Sequence, residues 1–126
     1  DVVYRRIRVD FLKPQNRIPA SAFKPRQGKD LGISVNVARL SDRAQTIAKG
    51  DAQYQYFLAG AKIGAIRMLA AGDGTALSLD VIDTGDDEDP SHAEIRGPET
   101  GKLPEGAPHA LARLFQSDFP LSMEGG

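Results

Sequence analysis

Val2-Val3-Tyr4-Arg5-Arg6-Ile7-Arg8-Val9 repeats with the two-residue period of a strand: Val3, Arg5, Ile7 and Val9 fall on one side, and Val2, Tyr4, Arg6 and Arg8 on the other. An arginine on each side implies that one side is partly wet or meets acidic groups. Ile33-Ser34-Val35-Asn36-Val37 repeats the alternation and predicts a second strand with Ile33, Val35 and Val37 inward. Ser91 to Arg96 reads as another strand. Two more are expected as a β-hairpin, Ile63–Ala71 with Thr75–Ile82, reversed at Gly72-Asp73-Gly74.

Helices fill the intervals. Ser41 or Asp42 can cap a helix running to Lys49, and Gly50 is placed to end it. A second helical piece is expected from Asp51 to Leu58. Pro19 to Phe23 reads as a short helical turn anchored by Phe23. Pro108 suits the first turn of a helix reaching Phe115 or Gln116, with Leu111, Leu114 and Phe115 as its apolar stripe. The fold class that follows is α+β: a compact single domain, residues 1–119, with a small, mainly antiparallel sheet and two or three helices. Residues 120–126 lack a pattern and are read as a disordered tail.

The net charge of −1 conceals an asymmetry. Residues 1–39 carry nine Lys/Arg against three acids, whereas residues 73–126 carry three against twelve. Such halves either neutralise each other within the fold or form separate faces that steer partners of opposite sign. The absence of cysteine excludes disulfides, thiol nucleophiles and thiolate metal sites. The longest weakly charged stretch, Tyr54 to Leu77, is broken by Lys62, Arg67 and Asp73, so no membrane span is expected. A cytoplasmic location is the expectation, with Asp1 in place of an initiator Met allowing for a removed leading segment.

Imidazole exchanges protons near neutral pH, which makes His92 the first catalytic candidate, with Glu94 as its companion. His92 follows the acidic run Asp86-Asp87-Glu88-Asp89, from which Asp87 or Asp89 would orient the ring. Ser91 and His92 are neighbours in a strand and point to opposite faces, so they form no nucleophile–base pair. Arg5 and Arg6 with Ser34, on two early strands, are the candidate anion-binding residues of an anion or dinucleotide cleft. Neither a zinc-protease HExxH arrangement nor a calcium loop occurs, and no metal or cofactor is expected. Gly60-Ala61-Lys62-Ile63-Gly64 lacks the spacing of a phosphate-cradling loop. A basic surface of Arg5, Arg6, Arg8, Lys13, Arg17, Lys24, Arg26 and Lys29, with Tyr4 or Phe11 for stacking, would suit a nucleic-acid backbone. Against that, aromatic residues make up only 6% of the chain and no recognition helix is apparent.

A terminal-strand arginine paired with the mid-strand Ser34 resembles elements of ADP-ribose-transferring folds, and the resemblance puts Glu94 in the place of a catalytic glutamate. The succession Tyr4-Arg5-Arg6-Ile7, Ala22-Phe23-Lys24, Ile33-Ser34-Val35 and Asp89-Pro90-Ser91-His92-Ala93-Glu94-Ile95 resembles a family of small, uncharacterised bacterial proteins. That resemblance implies an accessory protein working beside another bacterial gene product. Three readings therefore stand: a protein-interaction or accessory module with a charge-separated surface; a small hydrolase or transferase acting on a phosphorylated or nucleotide-like substrate; and a nucleic-acid-binding module.

Overall fold

Both edges of β1, Val2–Arg8, are used, and this puts the strand in the middle of the sheet. On one side it pairs with β3, Tyr56–Lys62, through an unbroken register from Val2↔Lys62 to Arg8↔Tyr56. On the other it meets β2, Ile33–Val37, at Val3↔Val37 and Tyr4↔Asn36. β2 pairs onward with β5, His92–Arg96, which pairs with the edge strand β4, Asp80–Asp83. A two-residue strand β6, Ser122–Met123, lies against β3. The order is β4-β5-β2-β1-β3-β6, and every neighbour is antiparallel. The computed structural model describes residues 1–25, 32–98, 101–118 and 122–123, and it has the expected α+β architecture.

Alternation sorts the strands into two faces. Val3, Ile7, Ile33, Val35, Ala59, Ala61, Ala93 and Ile95 form the buried face. It is covered by α3, Ala107–Asp118, through Leu111 and Phe115, and by the short turn Ala20–Phe23. Phe23 and Phe115 are both fully buried, with ring centroids 5.0 Å apart. The other face carries α1, Arg43–Ala48, whose Asp42 cap and Gln45 form the reciprocal capping box. Gly32 is required at the entrance to β2, because a Cβ there would collide with the carbonyl of Ile95 on the paired strand.

Two expected elements are different. The helix expected over Asp51–Leu58 gives way to β3, whose Phe57, Leu58, Ala59 and Ala61 are all buried. Covered on both faces, this strand has no alternation for a sequence reading to detect. The strand expected over Ile63–Ala71 instead begins with α2, Ile63–Arg67, which buries Ile66. Its Ile63 and Ile66 have helical spacing, and Ala65 between them favours a helix. The Gly72-Asp73-Gly74 reversal itself is present, closed by Ala71 N–H to Thr75 O at 2.8 Å, and Ala70 bridges Ala76. Beyond that bridge the chain leaves its hairpin partner, and β4 pairs with β5. In the tail, Ser122–Met123 is a strand; residues 120, 121 and 124–126 lie outside the described residues.

Candidate functional site

Because β1 and β2 pair only around Val3 and Tyr4, the later part of β1 and the earlier part of β2 form the two arms of a fork. Arg5 spans it. Its Nε donates to the carbonyl of Ala22 at 2.9 Å and its Nη1 to the carbonyl of Ser34 at 2.7 Å. The guanidinium also stacks on Phe23, 5.6 Å from the ring centroid. Burial and the adjacent Arg6 push Arg5 down to about 10, a value at which it is still cationic at neutral pH.

Arg6 points to the opposite face and ties α1 to the sheet. Its Nη1 donates to the carbonyl of Thr46 at 2.9 Å and to Asn36 Oδ1 at 3.3 Å. Burial lowers its affinity for the proton, while Tyr56 and Asp89 act the other way. Arg8 pairs with Asp10 at 2.6 Å and lies between two rings, 3.6 Å from the centroid of Tyr54 and 4.4 Å from that of Phe11. Tyr56 closes the wall: its ring rests on Gly50, where a Cβ would collide with it, and its hydroxyl accepts from Asp51 N–H at 3.1 Å.

The result is a groove of about 480 Å³ lined by Arg5, Arg6, Arg8 and Lys24, by Tyr4, Phe11 and Tyr56, and by Ser21, Ser34 and Asn36. Among the described residues its lining holds four cations and no carboxylate. The volume suits a small organic ligand, and the composition suits one bearing phosphates and a ring. All three sequence-derived anion-binding residues, Arg5, Arg6 and Ser34, line it.

The catalytic candidates lie on the next strand. Glu94 is directly opposite Ser34 and His92 directly opposite Asn36, so both pairs share the groove-side face of the sheet. Neither His92 nor Glu94 is part of the groove lining itself. The Glu94 carboxylate accepts from Arg96 Nε at 3.0 Å. His92 Nδ1 is 2.6 Å from Thr84 Oγ1, and Thr84 N–H donates to the His92 carbonyl. Histidine 109 is elsewhere, on α3 in a second groove.

The acidic run before His92 divides into two roles. Asp86 organises its own turn by accepting from the amides of Glu88 and Asp89. Asp89 reaches the sheet: Asn36 Nδ2 donates to it at 3.1 Å, Ser91 Oγ donates to it at 2.7 Å, and Lys49 lies 3.4 Å away. Asn36 Nδ2 also donates to Ser91 Oγ at 2.8 Å, with Asn36 and Ser91 both buried. Burial acts to raise the Asp89 carboxyl, but these hydrogen bonds and Lys49 outweigh it and hold the group below its ordinary 3.8. A carboxyl depressed by folding contributes stability above its unfolded value, and that contribution is lost as pH falls through the folded value. Urea midpoints should therefore fall between neutral pH and about pH 3, and Asp89→Asn should show a smaller fall than the parent.

Sequence reasoning missed Asn36 and Tyr56 as site residues. Asn36 was detectable as the second polar residue, after Ser34, on the side of β2 opposite the apolar one. Tyr56 was assigned to a helix and could not be placed on the sheet.

Among the described residues no helix is long and apolar enough to cross a membrane, and no group of three or more His, Asp or Glu side chains could hold a metal ion. Comparisons with protein-family models, with curated proteins and with solved structures give no significant match.

Proposed function

We propose that the fork between β1 and β2 binds a phosphorylated, dinucleotide-like ligand and that the protein cleaves or transfers its sugar at an N-glycosidic bond. The observation that carries this reading is the placement of Arg6 on β1, Ser34 on β2 and Glu94 on β5, three adjacent strands, with Ser34 and Glu94 in register and Arg5 bound to the Ser34 carbonyl between the arms of the fork. Arg6 and Lys24 supply charge for a diphosphate, and Arg5 holds the fork open in the shape that receives it. Tyr4, Phe11 and Tyr56 offer ring faces to a base.

Breaking an N-glycosidic bond sends its electron pair to the departing base and leaves an oxocarbenium-like sugar carbon. A carboxylate nearby stabilises that charge, as in glycoside hydrolysis, until water or an acceptor hydroxyl adds and releases its proton. Glu94, paired with the groove-lining Ser34, is the carboxylate assigned to this role, and His92, paired with the groove-lining Asn36 and held at Thr84, is an imidazole on the same face.

A protein-partner role gains less support. Among the described residues the exposed large apolar side chains, Phe11, Leu40, Tyr54, Met68 and Ile82, are spread over five segments, and Phe11 and Tyr54 already flank Arg8.

Calorimetric titration with ADP-ribose and with adenosine tests the binding step. ADP-ribose should bind at least about tenfold more tightly, with an affinity that falls as salt rises. Equal affinities, or no binding of ADP-ribose, would remove the basis for a phosphate-reading groove.

A further inference from the structure

The second groove, about 630 Å³, is lined in part by Arg17, Ile18, Pro19 and Ala20, just before the Ser21, Ala22 and Lys24 that line the first. Lys13, Arg17, His109 and Arg113 line it alongside apolar residues, and among the described residues no carboxylate does. Two local structures bring these groups together. Lys13 and Arg17 are directly opposed in an antiparallel bridge, with Lys13 N–H donating to Arg17 O at 2.9 Å. The reversal between them passes through Gln15 in the left-handed region, at φ 64°. On the facing wall, His109 and Arg113 are four residues apart on α3 and so share one side of that helix.

Like charges directly opposed across a bridge repel one another. Neither Lys13 nor Arg17 has an ion-pair partner among the described residues. A cationic pair of this kind, with a histidine lining the same open cavity, is stabilised by an anion that takes several donors at once. A phosphate group has the charge and the oxygen count to do so, and the guanidinium fork of Arg17 matches its geometry.

We infer that this groove is a phosphate-binding site separate from the fork between β1 and β2. It does not depend on the function proposed for the fork. The phosphate can arrive as a free phosphate or phosphomonoester, or as part of a single-stranded nucleic acid; both present the same group to Lys13, Arg17 and His109.

Amide chemical shifts of the full chain, titrated separately with inorganic phosphate and with a short oligothymidylate, test the site. Lys13, Arg17 and His109 should shift with at least one probe, and the Lys13→Ala/Arg17→Ala variant should bind that probe about tenfold or more weakly. ADP-ribose binding at the fork should be unchanged in the same variant. Tighter oligonucleotide binding with a steep salt dependence assigns the phosphate to a strand, and saturation by inorganic phosphate alone assigns it to a small molecule. If these amides stay still with both probes, or if the double variant binds as the parent does, the site is refuted. Should the double variant not fold, the shifts in the parent protein decide the question.

Discussion

Arg5→Met is expected to lower stability by about 2–3 kcal/mol and to abolish ligand binding in the fork. Methionine keeps the length of the side chain and its packing against Phe23, so the loss isolates the guanidinium. Two carbonyls, Ala22 O and Ser34 O, would lose their charged donor together. Without that clamp, the Ser34 arm of the fork is no longer fixed to β1 or to the turn that carries Phe23 and Lys24. Arg5→Lys should fall between the two, because a single ammonium cannot reproduce the planar pair of bonds. Urea denaturation followed by circular dichroism reads the stability, and calorimetry with ADP-ribose reads the binding. A parental midpoint in Arg5→Met would show that the fork is held by something else.

Glu94→Gln should reduce sugar transfer or hydrolysis by about three orders of magnitude while leaving ADP-ribose affinity within about threefold. The amide retains an oxygen for Arg96 Nε, so the local bond at the end of β5 survives. What it removes is the negative charge opposite Ser34, which in the proposed reaction acts on the transition state and hardly at all on the bound ground state. Release of the base from a dinucleotide, compared for parent and variant, separates kcat from KM. Equal kcat values would mean that another group supports the reacting carbon, with His92 the next to replace.

The central strands were readable because each alternates apolar with polar side chains. Val3 and Ile7 alternate with Tyr4 and Arg6, Ile33 and Val35 with Ser34 and Asn36, and Ala93 and Ile95 with His92 and Glu94. That alternation put Arg5 and Arg6 on opposite faces of one strand and Ser34 on a second, and so could name the three as candidates without bringing them together. It could not reveal that β1 and β2 separate after Tyr4, since the separation depends on where Arg5 finds its carbonyl partners. β3 was unreadable for the opposite reason: α1 and the main core cover its two faces, so Phe57 and Leu58 are both buried. Nor was the role of Asp89 legible. Four consecutive acids look alike in sequence, and only the approach of Asn36 and Lys49 distinguishes the one that anchors the loop. His92, the most conspicuous residue for chemistry, is held by Thr84, eight residues earlier in the chain.

A crystal structure with ADP-ribose bound tests the central claim most directly. The account predicts the diphosphate in the β1–β2 fork, within hydrogen-bond reach of Arg6, Lys24 or the Ser34 hydroxyl, with the ribose that carries the reacting carbon turned toward Glu94. A ligand seated away from β1 and β2, or a fork left empty at saturating ligand, would contradict it.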